Sequence, residues 1–467
     1  MTVHPFGATS SPAVCAFALQ RAALDCLAFP EDVQDQVAHH FYVDNWMNSF
    51  ASVDSAVTTS IRLINALDHA GFNLTQFASS HAEVLIALKA NTDARKRINI
   101  GSNDNSIERA LGLLWDFQKD MFQLTVEVPT DVRTKRELLQ VCASIYDPLG
   151  FLAAVKLVPK RLFQQTCRMK LEWDELLEDS IVNQWRRWAE DASCIRELTI
   201  RRCIHPPKMT PVRIELHVFS DASEYAFGAT AYARYVANDY AACALLMAKS
   251  NLAPLHPSTI PRLELRGALS AARLSVALKE DTGLEFQGVY LWTDSTTVLR
   301  WINSASFKFT PYVGARIGEL LELTSADQWF HVPTDQNPAD DVSRGLSPLE
   351  LHPNHRWFIG PEFLTRIPND WPTSPLSQTD DQDEVEIRPN PQFYRTEIKS
   401  GEVALLIERK SQFTRLVRII AHIQRLAANM RQPRIDRILG PITAHEFANG
   451  RYFLIKHAQS VKYSTEI

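Results

Sequence analysis

The order of strand-like and helix-like segments in residues 208–346 constrains the fold more strongly than any other feature. Arg213–Phe219 alternates apolar with polar or charged residues at a period of two, which is typical of a half-buried strand. Further strand-like segments follow at Gly228–Ala233 and Ala241–Lys249, before the Ala- and Leu-rich helical segment Leu263–Lys279. Three successive strands before a long helix predict an antiparallel meander.

The rest of this region alternates strands and helices. Strands at Val289–Thr293 and Trp329–Val332 are separated by helices at Ser295–Asn303 and Gly314–Leu323, and Ala339 opens a last short helix. The order βββαβα(α)βα predicts an α/β (α+β) fold, with a five-stranded mixed sheet and flanking helices.

Residues 1–130 are predicted to be a mixed α/β region. Helical patterning covers Pro12–Leu27 and Val53–Ala70, and Ser52 is placed to cap the second helix. His40–Trp46, between them, is a short β-like run.

Three further regions complete the expected organisation. Residues 131–207 read as a helical connection, in which a helix over about Thr134–Ser144 precedes a turn at Asp147–Gly150. We expect a linker over 347–397, which is rich in Pro, Asp, Ser and Gln, and a helical segment over 398–467.

The composition excludes several classes of protein. With 45% apolar and 22% charged residues, the 467-residue chain is not mostly disordered. It has no apolar run of about 18 residues and no signal-peptide pattern at its start, so we expect neither a membrane partner nor secretion. The seven cysteines form no zinc-like cluster. Reduced thiols in a cytoplasmic, intracellular protein are therefore expected.

Four acidic residues lie where the predicted sheet would bring them together. Asp221 follows the first strand, Glu264 lies near the start of the long helix, Asp294 ends the fourth strand, and Asp340 opens the last helix. Carboxylates that share a pocket cannot all ionise without a compensating cation. Mg²⁺ prefers oxygen ligands, and two such ions about 4 Å apart can activate a water molecule for phosphodiester cleavage.

The phrases around these acids, FSDAS, RLEL, WTDS and NPAD…SRG, resemble the RNase H domain of retroelements. The resemblance implies that Asp221, Glu264, Asp294 and Asp340 are catalytic acids that hold two Mg²⁺ (or Mn²⁺) ions. It also implies that the substrate is the RNA strand of an RNA–DNA hybrid.

Two neighbouring positions stay open as alternatives. Asp341 is the alternative for the fourth acid, although Asp340 follows Asn-Pro-Ala as in the family phrase. Many RNases H carry a His in the loop before the fourth acid. Here His331 precedes the loop, and we expect it to be a strand residue whose loss slows turnover without abolishing it.

Residues 1–130 resemble the back half of a reverse-transcriptase palm. The phrases HPFGATSSPAVCAFAL, FYVDNWM, GFNLTQFASS and LGLLWD are similar to successive palm motifs, and FYVDNWM corresponds to the YxDD catalytic turn. In the turn Tyr42-Val43-Asp44-Asn45, the neutral Asn45 replaces the second Asp and binds metal more weakly than a carboxylate. The chain begins after the family's other metal-binding Asp. We therefore predict no polymerase activity.

The phrase TKRELLQVCASIYDPLGFLAAVKLVPKRLFQ resembles the segment between polymerase and RNase H in BEL/Pao long-terminal-repeat retrotransposons, a segment also described as a Pao peptidase. The resemblance implies a fragment of a Pol polyprotein. An aspartic protease needs a D-[ST]-G turn between apolar strands. Asp281-Thr282-Gly283 lies between a helix and a strand and is flanked by charge, which favours a simple connection.

The expected partners are an RNA–DNA hybrid or other nucleic acid, and the remaining Pol domains, integrase and protease. Val132–Lys170 contains eight Lys or Arg against two acidic residues, so phosphate contacts are expected there. Those contacts are assigned to Arg133, Lys135, Arg136, Lys156, Lys160 and Arg161. Residues 398–467 resemble the helical segment that precedes the family's integrase zinc site, and virus-like particles are a further expected location.

Two functions compete on these observations. The first is a metal-dependent ribonuclease of the RNase H type. The second is a catalytically inert, nucleic-acid-binding remnant of a retroelement, which the Asn45 change favours for the polymerase region. The complete set of four acids favours the ribonuclease.

Overall fold

A computed structural model provides the fold. The described residues are 10–25, 29–75, 77–91, 107–110, 113–207, 209–238, 240–372, 386–387, 413–430, 437–438 and 440–462. The predicted HPFG phrase, Cys26 and most of the predicted linker lie outside them. The chain divides into two compact units, Met1–Pro389 and Asn390–Ile467.

The first part of the larger unit is built from helices around a short hairpin. The helices are α1 (Ser11–Asp25), α2 (Glu31–His39), α3 (Val53–His69) and α4 (Ala82–Asn91). The predicted cap of α3 is confirmed, because the Ser52 side chain accepts a hydrogen bond from the backbone N–H of Ser55. Strands β1 (Phe41–Tyr42) and β2 (Asn45–Trp46) pair antiparallel, and apolar residues of α1, α2 and α3 pack together.

A four-stranded antiparallel sheet follows, in the order β3-β4-β5-β6. Its strands are β3 (Ile107–Ala110), β4 (Leu113–Asp116), β5 (Met121–Gln123) and β6 (Thr199–Arg201). These strands are three or four residues long, too short to show a periodicity in the sequence. Strands β3, β4 and β5 precede the helical connection, and β6 lies at its end. Because β6 pairs with β5, segments before and after the helices share one sheet.

The connection is helical, with α5 (Lys135–Ser144), α6 (Leu157–Arg168) and α7 (Asp179–Ala192). Thr134 caps α5, and its side chain accepts from the N–H of Glu137. Gly150 ends the predicted turn with a φ of 76°, and a Cβ there would lie 1.9 Å from the carbonyl oxygen of Ala248. Glycine is therefore required where the turn meets the large sheet.

The predicted five-stranded mixed sheet is confirmed, with the order β11-β10-β7-β8-β9. Its strands are β7 (Arg213–Ala222), β8 (Ala226–Val236), β9 (Ala241–Leu252), β10 (Gly288–Thr293) and β11 (Trp329–His331). β7, β8 and β9 form the antiparallel meander, whereas β10 runs parallel to both β7 and β11.

One face of this sheet is covered by the predicted helices α8 (Ile260–Asp281), α9 (Thr296–Ile302) and α10 (Pro311–Leu323), and α11 (Asp340–Arg344) lies at its end. The other face is covered by the connection and by residues after α11. There Phe219, Tyr232 and Trp292 of the sheet share a core with Trp185 and Trp357. Both faces are apolar, which explains why nearly every residue of β8 is buried.

The predicted linker over 347–397 is wrong in its first part. Residues 348–371 form short helices against the sheet: α12 (Arg356–Ile359) and 3₁₀ turns at Pro348–Glu350, Glu362–Thr365 and Pro368–Asp370. Trp357 and Leu364 are fully buried and Phe363 nearly so. These apolar side chains fall between prolines and polar residues, so composition alone suggested a linker. We call residues 348–371 the strap.

The smaller unit contains α13 (Phe413–Asn429) and α14 (Ala444–Lys462). On α13, Val417 and Ile420 are buried with Leu454 of α14, whereas Phe413 and Leu426 are exposed. In neither unit do the described helices combine the length and the apolar character that a membrane span requires. Among the described cysteines, Cys15, Cys142, Cys167, Cys203 and Cys243 are free thiols.

Candidate metal-binding acidic site

The register of two neighbouring strands brings the first acids together. β7 and β10 run parallel, with Ser220 opposite Thr293, so the next residues, Asp221 and Asp294, emerge at the same edge of the sheet. Asp340 is the first residue of α11, which packs across this edge. Asp221, Asp294 and Asp340 each offer a carboxylate oxygen, and these three atoms lie within 4.8 Å of one another. We call these three residues the acidic cluster.

Glu264 approaches the acidic cluster from α8. A Cβ on Gly267 would lie 2.8 Å from the carbonyl oxygen of Asp221, so this glycine permits close packing of α8 on β7. Glu264 lies one turn earlier and accepts a hydrogen bond of 2.6 Å from the hydroxyl of Ser295. Ser295 is the residue after Asp294. Glu264 thus borders the cluster without being one of its three mutually close acids.

Burial and like charge act together on these carboxyls. Asp221 is 4% exposed, and its burial, followed by the neighbouring charge of Asp294, raises its pKa above the ordinary value. Burial also raises the pKa of Glu264 and of Asp340, and the charge of Asp294 adds to both effects. The protein leaves this negative charge only partly compensated, since Arg344 lies 3.6 Å from Asp340.

Hydroxyl and amide groups hold the acidic cluster in place. The hydroxyl of Ser343 donates to Asp221, and the hydroxyl of Thr334 donates to Asp294 at 2.9 Å. The amide of Asn337 donates to the carbonyl oxygen of Ser220 at 3.1 Å, which ties the loop before α11 to β7. The acids are therefore held by side chains from separate segments of the chain.

The two alternatives for the fourth acid have different surroundings. Asp340 belongs to the acidic cluster, and its buried Oδ1 has no hydrogen-bond partner among the described residues. Asp341 lies outside the cluster: its Oδ1 accepts a hydrogen bond of 2.8 Å from Arg356 of the strap, while its buried Oδ2 has no hydrogen-bond partner among the described residues. Of the two, Asp340 is the one that belongs to the acidic cluster.

The acidic cluster fits a divalent cation. Its donors are hard carboxylate oxygens, they converge within 4.8 Å, and Asp340 keeps a buried oxygen without a partner. Raised pKa values are what a site of several carboxylates shows while no cation offsets their charge.

Sequence reasoning missed the residues that orient the acids. Ser343, Ser295 and Thr334 are buried or lie beside the site, and each donates to one of the predicted acids. Ser343 and Ser295 lie within the phrases SRG and WTDS. These phrases indicate the family resemblance, but they do not show which acid each hydroxyl contacts. His331 ends β11, in agreement with the expected strand position.

Two of the six predicted phosphate-binding residues are half-buried lysines whose ammonium groups donate to backbone carbonyls. The ammonium of Lys156 donates to the carbonyl oxygen of Ile145 at 2.6 Å, and that of Lys160 donates to the carbonyl oxygen of Ser250 at 3.0 Å. Burial lowers the pKa of both lysines. Both residues therefore anchor the connection, which corrects their assignment to a phosphate-binding surface.

Of the other four predicted basic residues, Arg133 and Arg136 are exposed, and Lys135 and Arg161 are half-buried. Arg133 pairs with Asp131 at 2.7 Å, Arg136 pairs with Asp174 at 2.7 Å, and Lys135 donates to the carbonyl oxygen of Leu171. Arg161 differs from them, because its guanidinium lies 3.6 Å from the ring centre of Tyr225, on the turn after Asp221. Arg161 is thus the member of this set that lies beside the acidic site.

The predicted degenerate polymerase turn is the β1–β2 hairpin. Tyr42 and Asn45 pair with each other, and Val43 and Asp44 form the exposed turn between them. Val43 has a φ of 57°, an unfavourable conformation for a β-branched residue. Within the described residues, Asp44 takes part in no cluster of three potential metal ligands.

Asp281-Thr282-Gly283 lies at the end of a helix. Asp281 is the last residue of α8, Thr282 caps it, and Gly283 has a φ of 65°. Asp281 is exposed to solvent, and the following strand begins only at Gly288. This agrees with the expected simple connection.

Comparisons with known proteins were consistent with this architecture. Residues 134–295 match the family model of the Pao retrotransposon-like RNaseH-like domain. This range includes Asp221, Glu264 and Asp294 and ends before Asp340. No curated protein matches the sequence.

Two similar solved structures come from foamy virus. One is the protease-reverse transcriptase dRH in complex with double-stranded DNA, with 14% identity and a TM-score of 0.40; the match covers 66% of this chain and 48% of that one. The other is the protease-reverse transcriptase in complex with double-stranded DNA, with 12% identity, a TM-score of 0.38, and coverage of 71% and 60%. This chain thus spans less than two thirds of either protein.

The family match covers most of the connection and the first four strands of the five-stranded sheet, β7, β8, β9 and β10, with Asp221, Glu264 and Asp294. The phrases FSDAS, RLEL and WTDS lie within it, whereas β11 and Asp340 follow later in the chain. The predicted resemblance to a retrotransposon Pol fragment with an RNase H-like domain is therefore confirmed, through a match to the Pao retrotransposon-like family.

Proposed function

We propose that this chain is a metal-dependent nuclease that hydrolyses the RNA strand of RNA–DNA hybrids. One observation carries the proposal: Asp221, Asp294 and Asp340 converge within 4.8 Å at one edge of the sheet. Buried carboxylates of like charge destabilise a fold, and a bound divalent cation offsets their repulsion.

The residues divide the work according to their positions. Asp221, Asp294 and Asp340 would hold the metal, and Glu264 would join them from the bordering helix. Bound Mg²⁺ or Mn²⁺ would supply an activated water and stabilise the leaving oxygen. Ser343, Thr334 and Ser295 keep the carboxylates oriented, so that little rearrangement is needed when substrate binds.

The choice of RNA over DNA would depend on the 2′-hydroxyl, which distinguishes the two strands of a hybrid. Phosphate contacts would add affinity that falls with salt and does not depend on base sequence. We further propose that the protein acts inside the cell or in virus-like particles, next to the remaining Pol domains. Polymerase activity is not proposed, because Asn45 stands in place of the second acid of the turn.

A labelled RNA–DNA hybrid, incubated with Mg²⁺ and separately with Mn²⁺, tests this function. We expect cleavage of the RNA strand alone. Asp294→Asn should reduce the rate by about 10³-fold, on the scale found when one electrostatic stabiliser of a transition state is removed. The matched control is Asp327→Asn, because Asp327 is exposed and lies outside the acidic cluster.

The experiment also separates the proposal from its alternative. A folded protein that binds the hybrid but cuts neither strand with either metal is an inert remnant. Equal cleavage by wild type and Asp294→Asn would show that the activity arises elsewhere or from a contaminant. Either result overturns the proposed function.

A further inference from the structure

A groove begins at the acidic cluster. It has a volume of about 510 Å³ and is lined by Ala222, Ser223, Glu224, Tyr225, Ile260 and Arg344. Ala222 and Ser223 directly follow Asp221, and Arg344 lies one helical turn after Asp340. The guanidinium of Arg344 is 3.6 Å from the Asp340 carboxylate. The groove is therefore continuous with the site at which we propose cleavage.

Hydrogen bonds fix the wall of the groove. The hydroxyl of Ser223 donates to the carbonyl oxygen of Ser343 at 2.5 Å and accepts from the N–H of Tyr225 at 3.1 Å. The carbonyl oxygen of Tyr225 accepts from the N–H of Ala253 at 2.8 Å. The turn between β7 and β8 is thus tied both to α11 and to the end of β9, and Tyr225 keeps a defined position beside the acids.

The connection supplies a second cation to this wall. The guanidinium of Arg161 lies 3.6 Å from the ring centre of Tyr225, within the range of a cation–π contact. Its helix α6 is held on β9 by hydrogen bonds from Lys160 to Ser250 and from Gln164 to Ala253. Lys156 and Lys160 donate to backbone carbonyls, whereas Arg161 contacts Tyr225, which lines the groove.

The chemistry of the rim fits a phosphodiester backbone. Arg161 and Arg344 offer planar guanidinium groups, which match phosphate oxygens well, and Tyr225 and Ile260 offer exposed apolar surface for sugars. Glu224 also lines the groove, and its carboxylate would repel a phosphate.

We propose that this groove binds the backbone of the substrate strand next to the cut, with Arg161 as a positioning residue held by Tyr225. The inference rests on the proposed function and names where its substrate lies. It also assigns a role to the connection: the helical segment before the RNase H-like sheet completes the substrate-binding surface.

The test is the affinity of the full chain for a fluorescent RNA–DNA hybrid in Ca²⁺, measured over a series of salt concentrations. Arg161→Gln should weaken binding about threefold to tenfold, as expected for one lost charge-assisted contact. The slope of log K against log salt should become shallower by about 0.9, the value for one phosphate. The matched control is Arg187→Gln, an exposed arginine of α7 with the same change of charge.

Further variants separate positioning from simple charge. Tyr225→Ala should reproduce the Arg161→Gln effect, whereas Tyr225→Phe keeps the ring and should bind like wild type. Glu224→Gln should tighten binding, because it removes a like charge from the path of the backbone. In cleavage assays with Mg²⁺, Arg161→Gln should raise KM and leave kcat within about twofold, since Arg161 does not touch the acids.

Equal affinities and equal salt slopes for Arg161→Gln and Arg187→Gln would overturn the proposal. That result, alongside normal cleavage by wild type, would leave the nuclease function intact. A wild-type chain that binds the hybrid and never cuts it would remove the nuclease function, while the affinity series still decides on the groove. A wild-type chain that does not bind the hybrid overturns both.

Discussion

Strand β7 carries two groups of buried ionisable residues, and their charges are compensated in different ways. At its carboxyl end, Asp221 meets Asp294 and Asp340, and like charges face one another. Nearer its start, Glu215 and His217 are also buried, but there a cation is built into the protein. Burial raises the pKa of Asp221 and of Asp340, whereas the pKa of Glu215 lies below its ordinary value.

The compensating cation is Arg234 of the neighbouring strand. It donates to Glu215 at 2.5 Å and to the carbonyl oxygens of Leu364 and Arg366 in the strap, at 2.6 and 2.8 Å. Burial alone would raise the pKa of Glu215, but hydrogen bonds from His217 and Arg234 outweigh it and lower the pKa. We call Glu215, His217 and Arg234 the buried network.

The two groups differ in whether the protein itself supplies the compensating charge. The buried network satisfies its own donors and acceptors and fastens the strap to the sheet. The acidic cluster leaves negative charge and a buried oxygen of Asp340 without a partner in the described structure. Such a site costs stability and is kept where a ligand or a reaction needs it.

The largest expected effect on stability comes from breaking the buried network. Arg234→Met should lower the free energy of unfolding by about 3–5 kcal/mol, because it leaves Glu215 and two strap carbonyls without their donor. The matched control is Arg213→Met. Arg213 lies 2.9 Å from the same carboxylate but is 42% exposed, so its loss should cost at most about 1 kcal/mol. Urea denaturation measures both, and equal losses would contradict the difference between a buried and an exposed partner.

The second effect is a dependence on pH. Burial lowers the pKa of His217 to about 4, from 6.5 in the unfolded chain. Between these values the unfolded chain binds a proton that the folded chain does not, so stability falls as pH decreases from 6.5 to 4. The loss is about 3 kcal/mol for this residue, at about 1.4 kcal/mol for each pH unit.

His217→Gln should flatten that part of the profile. Glutamine keeps an oxygen to accept from the indole N–H of Trp292, which now donates to His217 at 3.1 Å. Thermal denaturation of wild type and variant from pH 7 to pH 4 measures the difference between the two slopes. Parallel profiles would show that His217 is not kept neutral in the fold.

The smallest expected effect on stability is an increase instead of a loss. Asp294→Asn should raise the free energy of unfolding of the metal-free protein by about 1 kcal/mol, because it removes like charge from Asp221 and Asp340. Saturating Mg²⁺, at about 100 times its Kd, should stabilise wild type by about 2.7 kcal/mol and the variant by less. A variant less stable than wild type without metal would mean that the acids are not in electrostatic conflict.

Local patterns predicted much of the fold. The caps at Ser52 and Thr134, the period-two strand β7 and the long helix α8 follow from neighbouring residues, and the structure has all of them close to the expected positions. The four acids were found from short phrases at strand ends and helix starts, where parallel strands bring their carboxyl ends together.

Other features were missed because they depend on distant segments. The short strands β3–β6 exist through pairing across the connection, and the strap is ordered by burial of its aromatic residues on the sheet. Lys156 and Lys160 were predicted to bind phosphate because they belong to a stretch rich in Lys and Arg. The sequence gives their charge but not how far each side chain is buried. Their carbonyl partners, Ile145 and Ser250, were identified only in the folded chain.

Strand periodicity, helix caps and short motifs act over a few residues, so they were enough to predict the five-stranded mixed sheet and the candidate acids. Which of the buried charges are compensated depends on tertiary contacts. Arg234 donates to Glu215, and Arg356 donates to Asp341. In the acidic cluster, by contrast, the like charges of Asp221, Asp294 and Asp340 face one another. The physical reason is that burial and Coulomb interaction depend on distances between segments far apart in the chain.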